Sequence, residues 1–283
     1  MPKMNKTQLV VVTACIAIGI SIYVFGKKTV LTQDTMSTEA VAATQGMDES
    51  AVLEIAQSSL KPEETDKLKP ILAALDTINQ PAQKAGMLQS IAAFWDTKGQ
   101  YAAAAIYHLQ AAELLNEAPA FMLAGSRFQA AAEMANDTLL RNFMFRKAVD
   151  AMESASDISP EDLDIKADLA NVFVLSSPQP MQGIQRLLDI VKQEPKHLRA
   201  NIHLARLAIT SGQNDKAIER YQNLVTWYPA YADAYLGLGE AYYNTGQLEA
   251  AIRNLEQYKG LVRDEQIIAQ VDEFIAKIKS STP

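Results

Sequence analysis

The chain lacks most of what catalysis is built from. It has one cysteine, Cys15, in 283 residues, which excludes any disulfide within the chain. Its three histidines, His108, His197 and His203, are dispersed. His197 and His203 are six residues apart and do not share a helix face. No cysteine/histidine set has metal-ligand spacing, and no glycine-rich phosphate loop or dinucleotide fingerprint occurs. The carboxylate pairs Glu63-Glu64 and Asp162/Asp164 stand at expected helix starts, where acids favour the positive end of the dipole. Aromatics are sparse at 7%. Positive charge is also short, since the net charge is −7 and the pI near 5.1. That balance argues against nucleic acid as the ligand, because phosphate neutralisation needs clustered Lys and Arg. Alternation of period two never persists, so no sheet is expected. The chain reads as a non-enzyme with no cofactor, no metal and no small-molecule substrate.

What is present is repetition. Gly212 recurs as Gly246, Leu204-Ala205 as Leu238-Gly239, and Ala217-Ile218 as Ala251-Ile252, each 34 residues on. Two helices of about 13 residues and two short turns fill such a period. One helical pair cannot bury its apolar face alone, so copies stack. The predicted fold is all-α, a right-handed α-α superhelix. Going back along the chain, residues 164–197 give a moderate copy, as do residues 85–118. Residues 118–160 form a distorted copy, with about eleven extra residues expected between its helices, around Ala131 to Phe143.

Tyr235, Leu238, Gly239, Tyr242, Gly246, Ala251 and Leu255 carry a family signature. With Pro229 at the close of the preceding copy, they resemble the tetratricopeptide repeat family. Gly239 and Ala251 are small where the two helices of a repeat cross, and Gly246 suits a left-handed turn. The resemblance implies protein partners, held as an extended peptide or helix on the inner helices. The family's groove-facing positions fall on Asn171 and Val174 in one copy. In the next they fall on Arg199, Ile202, His203, Arg206 and Ile209. In the last they fall on Asp233, Leu236, Glu240, Tyr243 and Asn244. The candidate groove residues are Asn171, Arg199, His203, Arg206, Glu240, Tyr243 and Asn244. Chaperone-binding members clamp a terminal carboxylate with Lys and Asn; Ile202, Arg206 and Gly237 stand at such positions here. That departure argues against a chaperone-tail adaptor. Arg199, His203 and Arg206 share one helix face, which predicts a basic patch suited to an acidic partner segment.

The N-terminus reads differently. Leu9 to Phe25 is an uncharged run of 17 residues, flanked by Lys3 and Lys6 and by Lys27 and Lys28. It reaches the short end of the ~17–25 residues that span a bilayer as a helix. A cleaved signal peptide fits less well, because the run exceeds the usual h-region and two lysines follow at once. A buried core helix is the third reading. Only six apolar residues precede Cys15, which disfavours a lipoprotein box. Thr13, Ala17 and Ser21 make a small-residue stripe, so a homo-oligomer paired through the anchor stays open. The expected layout is a tail at 1–8, a transmembrane anchor at 9–26 and a flexible linker at 27–47. N-terminal capping helices at 48–84, tetratricopeptide repeats at 85–263 and a C-terminal capping helix at 264–283 complete it. The resemblance extends to single-anchor bacterial inner-membrane proteins with an outward repeat domain, which serve envelope assembly, secretion or cytochrome maturation. A self-associating structural membrane protein and a chaperone-like holdase are the alternatives.

Overall fold

A computed structural model describes residues 47–281. The apolar run 9–25 and all but the end of the expected linker lie outside the described residues. Among the described residues thirteen helices follow one another and no strand occurs. They are α1 (Glu49–Ser58), α2 (Pro62–Leu75), α3 (Pro81–Thr97), α4 (Tyr101–Leu115), α5 (Ala118–Met134), α6 (Thr138–Ile158) and α7 (Leu163–Ser176). Then come α8 (Pro180–Gln193), α9 (Leu198–Thr210), α10 (Asn214–Trp227), α11 (Ala232–Asn244), α12 (Leu248–Leu261) and α13 (Glu265–Ser281). No helix among the described residues is long and apolar enough to cross a membrane. The described residues divide into two compact units, one up to Arg186 and one from Leu187 onward.

The helix starts follow from local chemistry. Asp48, Asp137 and Asp162 each accept a backbone N–H of the first turn, at 2.8 Å in every case. A cap of this kind supplies a partner for a donor that the helix itself leaves bare. Pro62, Pro81 and Pro180 open their helices, where a missing N–H does no harm. Helix α2 ends at Leu75, because Thr77 turns back and donates both its N–H and its hydroxyl to Ala74 O. Gly99, Gly212 and Gly246 all have positive φ, at 69°, 74° and 74°. After each, the following glutamine N–H reaches the carbonyl five residues back, on Trp95, Ala208 and Tyr242. The same turn thus closes three helices, and glycine adopts it with no Cβ penalty.

In the first unit the distorted copy differs from expectation. The extra residues around Ala131 to Phe143 form no long loop; they lengthen α5 to 17 residues and α6 to 21. The two helices are joined only by Ala135, Asn136 and Asp137. The added turns carry Phe143, Met144 and Phe145 into a core that also holds Phe121, Phe128 and Met152. Burial of such apolar surface, worth roughly 25 cal/mol per Å², favours helix over loop here. A second cluster packs Leu68, Leu88, Ile91, Trp95 and Tyr107.

In the second unit Tyr221, Leu224 and Leu238 form one cluster with Ala205 and Ala217. Leu255, Tyr258, Val271, Ile275 and Ile278 form another, so α13 seals α12 with one face. Ala251 has no exposure, and a Cβ on Gly239 would stand 3.0 Å from Leu255 Cγ and 3.4 Å from Ala251 O. The close crossing expected from sequence is therefore present between α11 and α12.

Candidate functional site

Within the second unit, α9 and α11 flank a cavity of about 400 Å³. Helix α9 contributes Ile202, Arg206, Ile209 and Thr210, and α11 contributes Asp233, Leu236, Gly237 and Glu240. Both sets recur at spacings of three and four, which places each on one helix face. Tyr231 stands just before α11, Tyr221 rises from α10 and Tyr258 from α12, and Val262 and Ile267 complete the lining.

Gly237 decides the shape of the floor. A Cβ there would lie 2.2 Å from Cζ and 2.6 Å from the hydroxyl of Tyr221. Only a residue without a side chain lets that phenol pass under α11. Tyr221 is 4% exposed, and burial pushes its hydroxyl well above the usual range. Burial also raises Tyr231 and Tyr258, and the nearby charge of Asp233 raises both further. The Tyr231 hydroxyl donates to Asp233 Oδ2 at 3.4 Å. Thr210 turns its hydroxyl away and donates to its own helix at Arg206 O, 3.0 Å.

The half-buried Glu240 carboxyl is pushed up to about 7 by burial, against the opposing pull of the Arg206 guanidinium. Arg206 acts on it through space only; no hydrogen bond or ion pair to Glu240 forms among the described residues. Taking charge out of water destabilises it unless a partner compensates. Glu240 is thus a carboxyl poised between its two forms at neutral pH, in an apolar wall.

The structure gathers some of the expected groove residues and disperses others. Arg206 and Glu240 line the cavity, as do Ile202, Ile209, Asp233 and Leu236. Arg199 and His203 are half-buried on α9 and do not line it, although the charge of Arg199 reaches Tyr231. Tyr243 stacks edge-on against Phe274 of α13, with ring centroids 5.2 Å apart. Asn244 is half-buried at the end of α11, and its Oδ1 is enclosed with no hydrogen bond. Asn171 lies in the first unit, buried, and donates to Gln129 Oε1 at 3.4 Å. His197 proves to be a helix cap, accepting from Ala200 N at 3.2 Å. The uniform basic patch expected on α9 is not what the cavity presents. Arg206 shares it with Asp233 and Glu240, and Asp264 lies close enough to act on Tyr258. The tyrosines were missed because only α9 and α11 were read as groove-lining. Gly237, a gap where the clamp-type pattern has a side chain, was the one sequence signal for them.

No group of three or more His, Cys, Asp or Glu that could hold a metal occurs among the described residues. No curated relative matches the chain. Among solved structures, a tetratricopeptide repeat protein from Parabacteroides merdae is similar at 15% identity and a TM-score of 0.51. That match covers 82% of this chain and 87% of the other. A thermophilic tetratricopeptide repeat protein from Thermus thermophilus is similar at 13% identity and a TM-score of 0.51, covering 69% of this chain and 99% of the other. Both show the fold. The model of the tetratricopeptide repeat family itself matches residues 208–270, which include all of α11 and α12. With the 34-residue period, the glycine turns and the tight α11–α12 crossing, these findings show the tetratricopeptide repeat fold, and residues 208–270 match the family's own pattern.

Proposed function

We propose that this protein is a non-catalytic, membrane-tethered interaction protein that seats a segment of a protein partner in the cavity between α9 and α11. The observation that carries the reading is the cavity itself. Its walls are aliphatic and aromatic, from Ile202, Ile209, Leu236, Val262 and Ile267 with three tyrosines. A few convergent polar groups, Arg206, Asp233 and Glu240, supply orientation. Tyrosine gives large contact area with little entropy to lose, which suits recognition more than packing. The tether is read from the apolar run Leu9–Phe25 and its lysine flanks. A bacterial inner membrane, with the repeats outside the cytoplasm, is the setting we propose. Envelope assembly, secretion or cytochrome maturation is the kind of process served.

A photo-crosslinking residue at Leu236, inside the cavity, tests the seat. The same residue at Glu249, whose side chain is 95% exposed, is the control. Irradiation of native membranes is expected to join the Leu236 variant to one partner in fixed ratio and to leave the Glu249 variant unjoined. Adducts at Glu249 alone would move the partner to another face. Intact mass of the extracted chain tests the tether: a mature form that begins after residue 26 would remove it.

A further inference from the structure

The charge around the cavity is unevenly divided. Asp233 and Glu240 line it, and the charge of Asp264 reaches Tyr258. Arg206 is the one guanidinium in the lining, and it is exposed, with room to swing toward water. Arg199 stands further off on the Tyr231 side. Three tyrosines surround the acids, and aromatic rings favour a cation set against them. Glu240 has no donor of its own, so its carboxylate is left for an occupant to satisfy. We propose that the cavity holds a basic side chain, a lysine or arginine of an extended partner segment, between the carboxylates of Glu240 and Asp233 beside Tyr231 and Tyr258. Flanking apolar residues of that segment lie on Ile202, Leu236 and Ile267. This rests on the cavity being the partner's seat and names what it selects.

The proposal reverses the sign of partner expected from the α9 arginines alone. It also makes binding depend on pH in a defined direction. The titratable and charged groups that line the cavity with Glu240 are Arg206 from α9, Tyr221 from α10, Tyr231 and Asp233 from the α11 end and Tyr258 from α12. The tyrosines are all pushed up, away from neutrality. Glu240, at about 7, is the one among them poised to change charge between pH 6 and pH 8. A cationic occupant needs its ionised form. Affinity therefore rises with pH across that window, by about tenfold for one linked proton.

The test uses the full chain in detergent and a histidine-free library of nonapeptides with acetylated and amidated ends. Capped ends remove terminal charge from the contest. The expected result is selection of Lys or Arg at one position with apolar neighbours. Affinity for the selected peptide should rise about tenfold from pH 6 to pH 8. Glu240→Gln should weaken it at pH 8 by about tenfold or more and flatten the pH response. Arg206→Gln, at an exposed position, should strengthen it several-fold and so checks the charge argument independently. Selection of Asp or Glu, or affinity that falls as pH rises, would make Arg206 the anchor and overturn this inference while leaving the seat intact. No peptide retained above a polyserine control would overturn both.

Discussion

The two units of this chain use different aromatics for different ends. Phe94, Phe121, Phe128, Phe143, Phe145 and Phe173 lie in the first, and Phe274 stands alone in the described part of the second. Tyrosine is reversed: seven of the ten in the sequence follow Leu187. Phenylalanine has no polar atom and can be closed over completely, as Phe128 is at 0% exposure. A tyrosine must bring its hydroxyl to a partner or to water. Tyr228 donates to Lys196 O at 2.5 Å, Tyr242 accepts from Gln222 at 2.7 Å, and Tyr231 donates to Asp233. The first unit uses its rings to fill a core, with Phe121, Phe128, Phe143 and Phe145 in one cluster. The second has rings with polar tips, and three of them, Tyr221, Tyr231 and Tyr258, line a cavity.

The sharpest way to break that contrast is to remove one ring from each unit. Phe128→Ala should destabilise the protein by about 3–5 kcal/mol, because a buried ring is lost and a cavity remains. Tyr235→Ala, at a half-buried position, should lose distinctly less. Thermal unfolding followed by circular dichroism measures both; equal losses would mean that the second unit is as closed as the first.

The glycines give a smaller and more local difference. Gly237→Ala should destabilise by about 1–3 kcal/mol, since its Cβ meets the rigid ring of Tyr221, which can move aside only as a whole. Gly125→Ala also creates a short contact, 2.8 Å to Met152 Cε, but a thioether chain has three torsions to turn aside. A chemical denaturation midpoint that falls further for Gly125→Ala than for Gly237→Ala would show that Tyr221 is the mobile partner.

The smallest effect is electrostatic and belongs to the second unit alone. Glu240 has its folded pKa raised from 4.5 to about 7, so the folded state keeps a proton that the unfolded chain has released. Its contribution is therefore favourable at low pH and is lost as pH rises from about 5 through 7. Solvent reaches part of the side chain, which reduces the effect to about 1 kcal/mol. Melting temperatures from pH 5 to pH 8 should show Glu240→Gln gaining on the natural protein as pH rises. Parallel curves would place Glu240 in water rather than in the wall.

Much of the second unit was legible in the sequence because its 34-residue period is nearly intact. Gly212 and Gly246 marked the turns, and Gly239 with Ala251 marked the crossing. The first unit was harder to read because period and burial conflict there. Residues 131–143 break the repeat, yet they are apolar enough to extend α5 and α6, a gain that only the packed structure reveals. For the site, the groove-facing positions implied by the family resemblance included Arg206, Asp233, Leu236 and Glu240, which do line the cavity. They did not include Tyr221 or Tyr258, which enter from other helices by passing a glycine or a helix end. Nor could they tell that α13 covers Tyr243.

The Gly-Gln turns have a consequence for how the length of such a chain can change. Gln213 and Gln247 each follow a left-handed glycine and hydrogen-bond the equivalent carbonyl, on Ala208 and Tyr242. Excising residues 213–246 would join Gly212 directly to Gln247 and restore the same dipeptide at the same turn. Ala205 would then take the place of Gly239 against Leu255, where a methyl group stands at 3.0 Å and Leu255 must give by a few tenths of an ångström. The junction is a natural splice point. Genes encoding this architecture can gain or lose a whole helical pair in one recombination event without inventing a new loop, and each such event would add or remove one wall of the tyrosine-lined cavity.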